Sequence, residues 1–435
     1  MFECFGGQAA LVARLEECSF GGFSLKRTTL VIIAAAVLLF VVLFAFLGAD
    51  LLLNKPPAST TKPSLFVGVD VGYGTESDVH NVAEAVKGYA NLIILGSLTV
   101  TSDTTTLMRV CDYLYANGFY FIIYIGFGTF DYVPPRGPDQ NFFNSTQGRW
   151  GDKFLGVYLF DEVGGKQLDG SIEKPVPLDQ VNQRYIDARD YSYVSQAYQA
   201  IVIGSISVTQ EWYVPPYQSL FVADYGLYWF DYLSGYNTVF TEFVGNQSRQ
   251  IAIALSRGAA HTIGMNAGHT RGQDWGVMIT WKYTQAPFLE DGNQLYNDMV
   301  LAYQNDATYI IIFNSPENRT APTSLGTLTA DHLDAMKRFW NFSIANPRNG
   351  GYPADIAYVL PKDYGFGLRA ANDTIWGLWP ADNNSTAVWS ETNNLLSKYG
   401  NRLDVIYETK TDGEAITLPY NQLIFWNGTT IQKQP

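Results

Sequence analysis

Eight short apolar runs, separated by stretches with helical character, limit the folds that this chain can adopt. The runs are continuously apolar instead of alternating, which is typical of strands covered on both faces. Helical stretches between successive strands predict a parallel sheet with crossover helices. The predicted strands are Leu65–Asp70, Leu92–Leu98, Tyr120–Ile125, Phe154–Phe160, Leu220–Asp224, Thr238–Phe243, Trp275–Thr280 and Tyr309–Phe313.

The number of strands favours a closed barrel. A (β/α)8 barrel, or TIM barrel, typically takes about 250 residues, and residues 64–347 have about that length. A doubly wound open sheet is the alternative, but it usually follows its first strand with a complete G-x-G-x-x-G turn, and Val71–Thr75 holds only G-x-G. The predicted helices are Asp78–Tyr89, Thr105–Asn117, Leu178–Ala200, Ser248–Ala259, Gly292–Asn305 and Thr329–Ala345.

A change in composition after Pro347 predicts a domain boundary. Residues 348–435 are predicted to form a small flavodoxin-like α/β domain packed against the barrel. Its predicted elements are the strands Ile356–Leu360, Leu403–Tyr407 and Leu423–Trp426 and the helix Val388–Tyr399. The predicted fold class is therefore α/β: a TIM barrel followed by a small flavodoxin-like domain.

An uncharged apolar run precedes the barrel. Residues 28–49 are long enough to cross a bilayer as a helix. A cleaved signal peptide is the alternative, but its apolar region is usually shorter and lies closer to the N-terminus. We expect an N-terminal transmembrane helix at 28–49 and a Pro/Ser/Thr-rich linker at 50–63.

Basic residues and glycosylation sequons indicate the orientation of this anchor. Lys26 and Arg27 adjoin its N-terminal end, which favours a cytoplasmic tail at 1–27. Eight Asn-x-Ser/Thr sequons follow the apolar run and none precedes it, so N-glycans are expected on an extracellular C-terminal part. The protein is thus expected in the cell membrane as a single-pass glycoprotein. The sequon asparagines are Asn144, Asn246, Asn318, Asn341, Asn372, Asn383, Asn384 and Asn427.

Charge and cysteine content limit the partners and cofactors. The formal net charge of −13 argues against nucleic acid, which requires clustered Lys and Arg. Only Cys111 follows the apolar run, and four histidines show no zinc-ligand spacing, so we expect no metal and no cofactor. Metal-assisted hydrolysis through Asp70, Asp161 and Asp224 is a weaker alternative.

Acidic and aromatic residues stand at or just after the predicted strand ends, which meet at the active-site face of a barrel. The candidate catalytic residues are Glu162, Asp161 and Glu242, since glycoside hydrolysis requires two carboxyl groups beside the bond. Each acid could instead cap a helix or pair with a nearby Lys or Arg. The candidate substrate-binding residues are Asp70, Tyr124, Asp224, Tyr228, Trp229, Trp281, Lys282 and Asn314.

The pattern resembles the large clan of retaining TIM-barrel glycosidases, including β-galactosidase-like enzymes with a flavodoxin-like domain after the barrel. The resemblance implies that Glu162, at the end of the fourth strand, is the acid/base, with Asp161 in place of the usual Asn. The clan's nucleophile is a glutamate ending the seventh strand, where this chain has Trp281 and Lys282, and the next acid is Glu290. We expect a membrane-anchored, extracellular, glycoside-hydrolase-like protein that acts on glycans. The alternative is a non-catalytic carbohydrate-binding or cell-envelope protein on a degenerate barrel.

Overall fold

A computed structural model of the chain describes residues 62–126, 137–171, 174–176, 181–212, 214–215, 218–268, 272–280, 290–316, 325–348, 350–409 and 420–432. Lys62–Pro435 forms one compact unit. The predicted transmembrane helix at 28–49 lies outside the described residues. Among the residues that are described, no helix is both long and apolar enough to cross a membrane.

Eight parallel strands form a closed barrel in sequence order, and β1 pairs with β8 to close it. This confirms the predicted α/β barrel. The strands are β1 Phe66–Val71, β2 Leu92–Leu95, β3 Tyr120–Ile125, β4 Phe154–Leu159, β5 Ser219–Asp224, β6 Thr238–Phe243, β7 Asp274–Ile279 and β8 Tyr309–Asn314.

Helices of very different length connect the strands, and Asp or Ser side chains cap several of them. Asp103 accepts hydrogen bonds from the N–H groups of Thr105 and Thr106, and Asp291 accepts from those of Asn293 and Gln294, which satisfies donors that a helix start leaves free. The helices are α1 Glu76–Val86, α2 Leu98–Thr101, α3 Thr104–Ala116, α4 Gln140–Trp150, α5 Val163–Leu168, α6 Gln183–Asp187, α7 Tyr191–Trp212, α8 Tyr228–Leu233, α9 Arg249–Asn266, α10 Gly292–Gln304 and α11 Ala330–Ala345.

Large apolar side chains fill the inside of the barrel. The rings of Phe66 and Tyr309 stack with centroids 4.9 Å apart, and those of Phe221 and Phe240 lie 5.5 Å apart. Such aromatic pairs contribute about 0.5–1.5 kcal/mol beyond the burial of their area. The interior is therefore a packed core, and ligands can reach only the ends of the barrel.

The C-terminal domain is a four-stranded sheet in the order β10-β9-β11-β12, with one long helix. The first three strands are parallel, and their order corresponds to the 2-1-3 start of doubly wound folds. The short antiparallel edge strand β12 was not predicted from the sequence. The elements are β9 Ile356–Leu360, α12 Asn383–Tyr399, β10 Leu403–Tyr407, β11 Gln422–Phe425 and β12 Thr430–Gln432.

Several predicted elements were wrong in extent; the helices predicted for Ser248–Ala259 and Val388–Tyr399, for example, are the longer α9 and α12. The single helix predicted for Leu178–Ala200 is instead the short α6 and the long α7, which continues to Trp212. Arg189, between them, has a φ of 49°, and this left-handed backbone interrupts a right-handed helix. The second strand ends at Leu95 instead of Leu98, because Ser97 precedes the additional helix α2.

Candidate active site

The carboxyl ends of β1 to β4 and of β8 surround a cleft of about 260 Å³. Asp70 and Asp161 line it, and tyrosine and phenylalanine rings form its walls. Its lining includes Asp70, Tyr73, Ser97, Leu98, Thr99, Tyr124, Tyr158, Asp161 and Phe313. Apolar and aromatic walls with a few convergent polar groups are typical of small-molecule sites. Segments 127–136, 281–289 and 317–324, which follow β3, β7 and β8, lie outside the described residues.

Asp161 contacts a tyrosine hydroxyl and a lysine ammonium group. The Tyr158 hydroxyl donates a hydrogen bond to its carboxylate. The Lys166 ammonium donates to its backbone oxygen at 2.9 Å and lies 4.0 Å from its carboxylate. These contacts fix the position of the Asp161 side chain at the wall of the cleft.

Glu162 has a strained backbone and a partly exposed side chain. Its φ of 56° and ψ of 40° are left-handed, a conformation that costs a non-glycine residue roughly 1–2 kcal/mol. Its N–H donates to Ala223 O at 2.9 Å, which holds the turn after β4 against β5. Burial and the Asp161 charge raise the pKa of Glu162 to about 8, so the carboxyl is mostly protonated at neutral pH. Strain of this kind is concentrated at functional sites.

Two glycines after Glu162 allow close contact with the loop after β5. A Cβ on Gly164 would lie 2.4 Å from the Gly226 oxygen, and a Cβ on Gly165 would lie 2.2 Å from the Tyr225 ring. Helix α5 can therefore start directly after Asp161 and Glu162, the acid pair. It carries Lys166, one turn after Glu162.

Asp224, predicted to bind substrate, instead organises these two loops. It is fully buried, and its carboxylate accepts hydrogen bonds from the N–H groups of Gly164, Gly165, Tyr225 and Gly226. Burial raises its pKa to about 6 despite these bonds. Both carboxylate oxygens thus bind backbone N–H groups, which supports a structural role for Asp224 in these two loops.

Glu242, on β6, is buried, with an exposed fraction of 5 %. Burial raises its pKa well above the usual range, and the charges of Glu162 and Asp161 raise it further. Because like charges in one site cannot all ionise, Glu242 shares the titration of the acid cluster. Lys282, a predicted substrate-binding residue, lies outside the described residues.

Asp70 is the deepest acid of the cleft, with an exposed fraction of 3 %. Its Oδ1 has no hydrogen-bond partner among the described residues. Burial and the Asp161 charge raise its pKa well above the usual range, while the Gly96 N–H lowers it. A buried acceptor without a partner costs free energy, and a bound ligand group would satisfy it.

Of the remaining predicted substrate-binding residues that the structure describes, one lines the cleft and three contact other parts of the protein. Tyr124 lies in the cleft, with its ring 5.0 Å from that of Tyr158. Tyr228 and Trp229 are buried in α8, and Trp229 packs against Tyr407 of the C-terminal domain. Asn314 accepts hydrogen bonds from the loop at Thr327. For Tyr228, Trp229 and Asn314 the geometry supports packing and loop positioning, in contrast to the sequence interpretation.

The acid nearest to the end of the seventh strand does not join the cleft acids. Glu290 contacts Arg249 at 3.5 Å, and Arg249 also binds Asp298 at 3.0 Å. Trp281, the predicted aromatic platform, lies outside the described residues. Among the described residues, no group of three or more His, Cys, Asp or Glu could hold a metal ion, so the alternative of a metal site at Asp70, Asp161 and Asp224 gains no support.

Sequence reasoning missed Tyr73, Phe313 and Lys166. Tyr73 lies in the Val71–Thr75 turn, which was considered only as a phosphate-binding turn and set aside. Lys166 follows Glu162 by four residues, so a helix starting at Val163 would have placed the two side chains together. That spacing was the available signal.

Comparisons with known proteins identify the fold. No protein-family model matches the chain, and no curated protein matches its sequence. Among solved structures, the β-galactosidase of the psychrophilic Marinomonas ef1 matches 83 % of this chain and 72 % of its own, with a TM-score of 0.50 and 10 % identity.

Two other solved structures give lower scores. The β-galactosidase of Bacillus circulans sp. alkalophilus matches with a TM-score of 0.48 at 11 % identity, over 83 % of this chain and 67 % of its own. A GH5_18 protein from Streptomyces cattleya matches with a TM-score of 0.46 at 12 % identity, over 85 % of this chain and all (100 %) of its own. The predicted resemblance to β-galactosidase-like barrels is confirmed as one of architecture.

Proposed function

We propose that this chain is a glycoside hydrolase that acts on glycans outside the cell, with Glu162 as its proton donor. The observation that carries the proposal is a cluster of four acids at the carboxyl ends of the strands: Asp70, Asp161, Glu162 and Glu242. Glu162 has a pKa of about 8, and Asp161 lies beside it in an aromatic-walled cleft. A carboxyl group that keeps its proton, next to a second carboxyl group, is the arrangement that glycosidases use.

The roles follow from the contacts of each acid. Glu162 would protonate the oxygen of the departing sugar, because its carboxyl keeps its proton at neutral pH and remains accessible. Asp161 would face the positive charge that develops on the sugar ring, since it lines the cleft and the Tyr158 hydroxyl and Lys166 hold its carboxylate in place. Glu242 is the other candidate for the second carboxylate, and its burial favours the neutral form.

The aromatic walls suit the apolar faces of sugar rings. Tyr73 is 52 % exposed, and its ring meets that of Phe313 edge to face at 6.2 Å. Flat, partly exposed rings bury the C–H faces of a pyranose, while carboxyl and hydroxyl groups bind its hydroxyls. Asp70, with its unpartnered oxygen, would bind one such hydroxyl.

The anchor and the extracellular location form part of the same proposal. The apolar run at 28–49 supports a single membrane span. The sequon asparagines Asn144, Asn341, Asn383, Asn384 and Asn427 are exposed, as glycosylation requires. Protease added to intact cells should remove the domain that follows residue 62. A domain that survives until the cells are lysed would contradict this orientation.

The experiment is to incubate the full-length chain with a panel of oligosaccharides and polysaccharides and to measure the sugar released. Glu162→Gln should lower kcat by about 10²–10⁴-fold, since general acid catalysis contributes that much. Glu211→Gln, at an exposed position of α7, is the matched control. Turnover that persists in Glu162→Gln would show that another residue is the proton donor. Binding without turnover by the unaltered chain would favour the non-catalytic alternative.

A further inference from the structure

A second cavity lies where the C-terminal domain meets the barrel. Its volume is about 450 Å³, within the range of small-ligand pockets. One side follows β6, and the other is a loop of the C-terminal domain. We name it the junction groove and define it by its polar lining: Asp169, Asn246, Gln247, Arg369, Asn372 and Thr374.

A chain of contacts connects the junction groove to the acid pair. The Tyr225 ring rests on Gly165, three residues after Glu162, and its hydroxyl donates to Asp169 at 2.8 Å. Asp169 also binds Arg369 at 2.7 Å. On the barrel side, the groove begins at Val244, two residues after Glu242. The groove is therefore connected to Glu162 through Asp169, Tyr225 and Gly165.

The groove offers neutral hydrogen-bonding groups. Arg369 is held by Asp169 and by Asp373, both at 2.7 Å, so its charge is already compensated and does not favour an anionic ligand. Within the part of the chain that the structure describes, the side-chain amides of Asn246, Gln247 and Asn372 form no hydrogen bond. Amides that both donate and accept suit an uncharged ligand rich in hydroxyl groups.

We infer that the junction groove binds further sugar units of the substrate, so that the barrel and the C-terminal domain hold one glycan chain across the acid pair. The inference rests on the proposed function and deepens it. The substrate class becomes an oligosaccharide or polysaccharide chain instead of a single sugar on a small aglycone. Asn246 and Asn372 would then contact substrate and remain without N-glycans.

The test compares substrates of different length. Asn246→Ala/Asn372→Ala should lower kcat/KM for a six-unit oligosaccharide about tenfold relative to kcat/KM for the two-unit one, because each lost hydrogen bond weakens binding several-fold. Asn341→Ala, which also removes an exposed sequon asparagine but lies in α11, should leave the ratio unchanged. An unchanged ratio in the double variant would overturn the inference.

A binding experiment separates this inference from the proposed function. Calorimetry on Glu162→Gln with the same oligosaccharides should show an affinity that increases with chain length. Adding Asn246→Ala/Asn372→Ala to this variant should abolish the increase. If no glycan is hydrolysed but this length dependence is present, the groove assignment stands and the proposed hydrolysis fails. Affinity independent of length would overturn the groove assignment, and so would an N-glycan found on Asn246 or Asn372 in protein from its own cells.

Discussion

The ammonium nitrogen of Lys166 lies 3.9 Å from a carboxylate oxygen of Glu162, one helical turn earlier in the chain. The two side chains are partly exposed, by 21 % and 32 %. Burial and the Asp161 charge raise the pKa of Glu162, and the Lys166 charge lowers it. Lys166 therefore limits how strongly the acid holds its proton.

Lys166→Met should move the basic limb of the activity profile to higher pH. A proton donor must be protonated to act, so activity falls as pH rises through its pKa. Removing the cation raises the pKa of Glu162 from its value of about 8, so the protein should remain active at higher pH. The measurement is kcat/KM against pH, with Lys337→Met, at an exposed position of α11, as the control. A basic limb that stays in place would show that Glu162 does not control it.

Asp70→Asn should increase stability at alkaline pH and weaken catalysis. Because the folded-state pKa of Asp70 is raised, its contribution to stability declines as pH rises above its unfolded-state pKa. The amide removes this decline, so the variant should gain in free energy of unfolding at pH 8 relative to pH 4. One weakened substrate hydrogen bond should lower kcat/KM about three- to tenfold. Urea unfolding at both pH values and steady-state kinetics measure the two effects, and reduced stability at pH 8 would contradict the assignment.

Gly165→Ala tests the tight contact behind the acid pair. The added methyl group would lie 2.2 Å from the Tyr225 ring, so the loop or α5 must shift, at a cost of about 1–3 kcal/mol. Turnover should fall with it, because α5 carries Lys166. Gly148→Ala in α4 adds the same methyl group where no atom lies within 4 Å and should stabilise the helix by about 0.5–1 kcal/mol. Equal effects of both changes on the unfolding midpoint would contradict the close contact.

Much of the fold could be predicted because the relevant signals are local in the sequence. Strands β3, β6, β9 and β10 have the predicted bounds. Helices α2, α4 and α5 were not predicted, and α2 and α5 have only one or two turns, too few to show a periodicity. The break between α6 and α7 was also missed, since it depends on a left-handed Arg189 and not on Gly or Pro.

The sequence predicts where the candidate site lies, but it does not predict which side chains contact one another there. The rule that catalytic groups follow barrel strands placed Asp70, Asp161, Glu162 and Glu242 at one face. Which side chains turn into the cleft depends on contacts between distant segments. Asp224 faces the amides after Glu162, and Trp229 faces the C-terminal domain. No local pattern distinguishes these orientations.

The contact between the two domains depends on a buried ion pair. Arg257 of α9 binds Asp404 of β10 at 2.7 Å, and the two side chains are 1 % and 0 % exposed. Arg257→Met leaves a buried carboxylate with the Tyr352 and Tyr420 hydroxyls alone, which should cost about 3–5 kcal/mol. Arg257→Met/Asp404→Leu removes both charges, so its loss should be smaller than the sum of the single losses. Chemical unfolding of all four proteins measures this coupling, and additive losses would show that the pair contributes nothing specific to the contact.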